Sequence, residues 1–165
     1  MIDTFSMRAK QIVFAARLKA GERGANLIDA EDFLLGLVLE DQGMLAENLF
    51  SKLHDGQGTL LNKAPSHIPF FSQEEAKNLV TGIEARQTQS KPVGLSTEIP
   101  LSPALERAFG LAKDFQARFH HSQIEPLHLL AAILTEESGQ CVKLLEEFGI
   151  TREKVLEQLR GDTEN

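Results

Sequence analysis

The sequence predicts an all-α fold, an eight-helix bundle built from two four-helix repeats related by a pseudo-twofold axis. Three observations predict it. The segment from Phe5 to Leu49 returns as Leu101 to Leu145 without a gap, and each matched pair is separated by 96 positions, from Ser6 and Ser102 to Leu49 and Leu145. Self-similarity of that kind precedes any other reading of the fold. Within each copy, apolar residues recur every three or four positions, the period of a helix with one buried face. The periodic stretches are also bounded by residues that start and stop helices.

In the first copy, Phe5, Ala9, Ile12, Val13, Ala16 and Ala20 share one helical face. Ser6 precedes them as an N-cap, its hydroxyl able to accept from an unpaired amide of the first turn. The second copy starts with Ser102 followed by Pro103, and proline at the first helical position loses no hydrogen bond. Gly21, Gly24 and Asn26 end the first helix. A second helix is capped by Asp29, carries Glu31 and Asp32 in its first turn, turns Phe33, Leu34, Leu37 and Val38 inward and ends near Gly43. A third runs through Met44, Leu45, Leu49 and Leu53. Its counterpart, through Val142, Leu144, Leu145 and Phe148, stops at Gly149, a residue suited to a left-handed C-terminus. After Thr151, a last helix holds Val155, Leu156 and Leu159. The first copy's fourth helix is displaced and opens at Ser72 with a Ser-x-x-Glu capping box closed by Glu75, running to about Arg86.

The whole chain, 1–165, reads as one domain: repeat one over about 4–86 with an inserted loop at 54–71, a polar linker at 87–100 containing Pro92, Gly94 and Pro100, and repeat two over about 101–161. Duplication has a physical reason, because one repeat alone buries too little surface for comfortable stability. The loop is long for a connection inside a domain, which marks it as functional or unstructured. Its Phe70-Phe71 pair has two readings: a staple holding the next helix to the core, or an exposed apolar spot for a partner.

Composition narrows the chemistry. With 24 acidic and 17 basic side chains the formal charge is −7, which repels a phosphate backbone and argues against nucleic-acid partners. No stretch approaches the roughly 18 apolar residues of a membrane span, and the N-terminus lacks a secretory layout, so the expectation is a cytoplasmic protein without a membrane partner. The single cysteine, Cys141, falls on an apolar phase and reads as a small core residue. None of the twelve glycines is followed by lysine, so no phosphate-cradling loop is present. No serine has a nucleophile setting. His120, His121 and His128 with Glu125 raise the idea of a small helical metalloenzyme, but their spacing matches no metal motif. Neither a catalytic residue, nor a metal ligand, nor a cofactor is expected.

The ordered motifs resemble a known family. Phe5-Ser6-Met7-Arg8-Ala9, Ile28-Asp29-Ala30-Glu31-Asp32-Phe33-Leu34-Leu35-Gly36-Leu37 and Glu40-Asp41-Gln42-Gly43 are similar to the head, central motif and acidic step of the Clp repeat, the N-terminal domain of the Clp AAA+ unfoldases. The second copy keeps Ile124-Glu125-Pro126-Leu127-His128-Leu129-Leu130, Glu136-Glu137-Ser138-Gly139 and a Leu-x-x-x-Gly ending at Gly149. The resemblance implies a double Clp-N bundle that recognises adaptor or client proteins for a Clp unfoldase and its protease. The chain is then either the N-domain of a longer Clp ATPase or a free-standing accessory protein acting on a protease complex. Some relatives hold a phosphorylated arginine with a glutamate in both copies; here Glu31 keeps that glutamate and Leu127 replaces its counterpart. The family's Gly-Thr before it has become Asp29-Ala30 and Glu125-Pro126. Glu31, Phe70 and Phe71 are therefore the candidate partner-binding residues, and Glu31 read without the resemblance is a helix-start charge facing water.

Overall fold

A computed structural model describes residues 4–45, 67–94, 96–136 and 140–164. Among them lie seven helices: α1 (Met7–Glu22), α2 (Ala30–Asp41), α3 (Gln73–Arg86), α4 (Pro103–Arg118), α5 (Pro126–Glu136), α6 (Gln140–Glu147) and α7 (Arg152–Glu164). The helix expected through Met44 to Leu53 falls, beyond Leu45, outside the described residues, as does most of the 54–71 loop.

Local chemistry sets the helix starts. The hydroxyls of Ser6 and Ser102 accept from the amides of Ala9 and Leu105, each at 3.2 Å. Asp29 caps α2 reciprocally with Asp32, and Ser72 caps α3 reciprocally with Glu75. Each bond satisfies an amide that the helix itself leaves unpaired. The stops agree as well, since Gly43 and Gly149 adopt φ of +69° and +75°. α1 and α4 occupy the same register, 7–22 and 103–118, the 96-residue offset of the sequence repeat.

The two halves interlock through their helix starts. Ser6 donates its amide to the Ile124 carbonyl at 3.0 Å, and Ile124 donates to the Thr4 carbonyl at 2.8 Å. Ninety-six positions away the same exchange recurs, with Ser102 donating to Ile28 and Ile28 to Pro100, both at 2.8 Å. These pairs form two short parallel bridges, Phe5 with Ile124 and Ile28 with Leu101, each joining one repeat to the other. Between them sits a shared core. The Phe109 ring of repeat two meets Phe5 and Phe33 of repeat one edge-on, each with centroids 5.4 Å apart. Ile12, Leu34, Leu105 and Leu130 belong to the same core cluster as these rings, all fully buried. Cys141 joins the same core cluster.

The segment between repeats is laid across the end of α1. Ser90 donates to the Arg23 carbonyl and Val93 to the Gly21 carbonyl, both at 2.8 Å, while the Arg17 guanidinium holds the carbonyls of Gly94 and Thr97.

Candidate protein-interaction site

Each repeat buries one polar side chain at the third residue of its second helix, and the pair reveals how the duplicated site has diverged. In repeat one this residue is Asp32, 0% exposed, and its carboxylate accepts the Asp29 amide at 3.0 Å. In repeat two it is His128, also 0% exposed, whose Nδ1 accepts the Glu125 amide at 2.8 Å. Both perform the same capping task with different chemistry. A buried carboxylate needs a compensating charge, and Arg23 supplies it through two bonds of 2.7 Å, with Gln87 adding a third at 3.0 Å. That fork to Asp32 is the main cause raising the Arg23 pKa.

His128 is compensated by neutrality instead. Burial, and secondarily the neighbouring charge of His121, lower its pKa to about 4. Because Nδ1 accepts, Nε2 must carry the proton, and it faces His121 Nδ1 at 2.7 Å. Both imidazole nitrogens of His128 are thereby occupied within the protein. Among the described residues no group of three or more His, Cys, Asp or Glu is arranged to hold a metal ion.

Glu31 stands in the first turn of α2, half-buried. Burial raises its pKa, reinforced by the charges of Asp29 and Asp32 and opposed by Arg23 and Arg86. Leu127 occupies the equivalent place on α5, half-buried and apolar. One helix start thus presents a carboxylate and the other a leucine.

Phe70 and Phe71 lie at the far end of α2. Asp41 accepts their amides at 2.8 and 3.1 Å, and Gln42 donates to the Phe71 carbonyl at 2.9 Å. Phe71 is 2% exposed and belongs to the main core; Phe70 is half-buried, its ring edge-on to Phe71 at 5.2 Å. The structure does not bring Glu31 and the phenylalanines together: Asp41 lies ten helical positions beyond Glu31, roughly 15 Å along the axis. Sequence reasoning missed the residues beside Phe70. Ile68 is 93% exposed, and with Phe70, Pro69, Leu37, Pro126 and Leu127 it lines a groove of ≈ 450 Å³ across the seam between repeats. At its edge Arg8 grips Glu40 through bonds of 2.8 and 2.9 Å and contacts His67 Nε2 at 2.9 Å.

Comparison with known proteins fits this geometry. The model of the Clp repeat (R) N-terminal domain matches residues 100–165. The N-terminal domain of the Clp-associated chaperone ClpD from Arabidopsis thaliana superposes with a TM-score of 0.63 at 19% identity, covering 96% of both chains. The N-domain of ClpV from Vibrio cholerae gives 0.65 at 17% identity, over 99% of this chain and 87% of that one. The chain thus shares the fold of the Clp N-terminal domains, and its second half is similar in sequence to the Clp repeat.

Chaperone protein ClpB of Oceanobacillus iheyensis is 28% identical over 96% of this chain and 17% of its own length. The negative regulator of genetic competence ClpC/MecB of Bacillus subtilis is 26% identical over 96% of this chain and 17% of its own. The chain therefore spans less than a fifth of the length of these relatives. No helix among the described residues is long and apolar enough to cross a membrane. The Glu31/Leu127 exchange is visible in the sequence, and the same 96-residue offset pairs Asp32 with His128. The groove had no such signal, because its wall at Ile68 belongs to the inserted segment, which has no counterpart in repeat two.

Proposed function

We propose that this chain is a Clp-type N-domain, a recognition module that binds an adaptor or client protein and presents it, in the cytoplasm, to a Clp-type AAA+ unfoldase and its protease. The observation that carries the reading is the seam. The two halves of a chain with the Clp N-domain fold meet along a groove that has apolar walls, exposed side chains and, among its described lining residues, no reactive constellation. Glu31 and Phe70 are the partner contacts, one at each end of α2, and Phe71 acts from the core by holding Phe70 in place. A half-buried carboxylate with neighbouring acids is suited to a guanidinium, which can bridge two oxygens.

Affinity capture from native lysate, with the folded domain as bait and mass spectrometry as readout, tests the reading. Retention of a Clp-type unfoldase, protease subunit or adaptor, diminished in Phe70→Ala, supports it; no enrichment over an unfolded bait contradicts it. Titration with an arginine-phosphorylated peptide tests Glu31 separately. Unchanged affinity in Glu31→Ala removes that residue from the site.

A further inference from the structure

We propose that the groove beside Leu127 receives a partner segment in which apolar side chains are followed by a carboxylate, so that this end of the domain selects apolar-acidic sequences. The inference rests on the docking function above and gives the partner's chemistry at one place. Its first support is the comparison of the two halves. At equivalent helix starts repeat one carries Glu31 and repeat two Leu127, so the second start cannot repeat cation recognition and offers apolar surface instead. A second support is the opposite wall. Ile68 is 93% exposed yet sits next to an anchored backbone, since Asp41 fixes the amides of Phe70 and Phe71. An isoleucine held out into water on a fixed base lines the same preformed cleft as Leu127, which lowers the ordering cost of binding.

Charge supplies the third. Within the groove, the Arg8 guanidinium is committed to Glu40 by two bonds, and the Asp41 carboxylate is committed to two backbone amides and Gln42. Lys154 is exposed, and among the described residues no ion pair engages it. It lies in the first turn of α7, where the helix dipole adds the same sign. In a chain of net charge −7, the one uncommitted charge among the described residues lining this groove is a cation. Its complement is a carboxylate on the incoming segment.

Fluorescence anisotropy of the intact chain with two short fluorescein-labelled peptides, Leu-Leu-Ser-Asp-Asp and Leu-Leu-Ser-Lys-Lys, tests this. The acidic peptide is expected to bind more tightly, on the order of fivefold. Lys154→Glu is expected to invert that preference, and Leu127→Glu to weaken both peptides. Ile68→Ser, at a fully solvated position that folding does not need, is expected to weaken both as well. Equal affinities, or a preference that survives Lys154→Glu, would overturn the proposal. So would a concentration-dependent dimer in sedimentation that Ile68→Ser abolishes, which assigns the groove to a second copy. Deletion of residues 46–66 that raises peptide affinity tenfold or more assigns it to the chain itself, with the same consequence. Peptides that fail to bind while lysate capture persists sink the groove and spare the docking reading; bound peptides with no lysate capture do the reverse.

Discussion

At the scale of single residues, the duplication acts as an internal control. Gly24 and His120 are equivalent positions, each one residue past a helix C-cap, and both are left-handed, with φ of +73° and 57°. Glycine adopts this conformation freely; a residue with a Cβ is strained there by about 1–2 kcal/mol. His120→Gly is therefore expected to stabilise the domain by about 1 kcal/mol in urea denaturation. Gly24→Ala is expected to destabilise it by roughly 2–3 kcal/mol, because its new Cβ would also fall 2.4 Å from the Lys91 carbonyl. No change in either midpoint would contradict the assigned conformations. His128 makes a pH prediction. Its pKa is lowered by folding from 6.5 to about 4, so the stability it contributes is fully present above pH 6.5 and is lost as pH falls towards 4. The loss is about 3 kcal/mol, since the unfolded chain takes up a proton that the folded site refuses. His128→Gln keeps a capping-box acceptor and is expected to remove this component from the difference between unfolding free energies at pH 7 and pH 4. An identical pH dependence in both proteins would exclude His128 as its source.

At the scale of elements, what the sequence made legible was local. Ser6, Ser102, Asp29 and Ser72 cap the helices they precede because the acceptor and the unpaired amide lie within three residues of each other. Gly43 and Gly149 were legible for the same reason. The unread features join distant positions: Arg8 to Glu40, Arg23 to Asp32, and Asp41 to the amides of Phe70 and Phe71. No periodicity encodes which arginine reaches which acid. Glu40 and Glu136 are themselves equivalent, yet their partners Arg8 and Arg107 come from non-equivalent positions on α1 and α4. The backbone register of the repeats was retained while the ion pairs were rebuilt. The caps should consequently behave alike in both halves. Ser6→Ala and Ser102→Ala are each expected to cost about 1 kcal/mol in urea denaturation, the value of a lost helix cap. A large effect in one repeat and none in the other would show that the two starts are not equivalent.

At the scale of the whole molecule, the halves are interlocked at their helix starts. Each repeat begins its first helix on a backbone bridge to the loop that begins the other's second helix, and Phe109 of repeat two packs edge-on against Phe5 and Phe33 of repeat one. Neither first helix can keep both its cap and its bridge if the halves part. The seam groove is lined by Leu127 of one repeat and Ile68 of the other, so the proposed docking surface exists only in the joined state. The measurement that tests this account most directly is native-state hydrogen exchange at the four bridging amides, those of Ser6, Ile28, Ser102 and Ile124. All four are expected to exchange only through global unfolding, with the same free energy as the buried amides of α2 and α5. Faster exchange at the bridges than within those helices would mean that the repeats separate while each stays folded, which contradicts a single interlocked body.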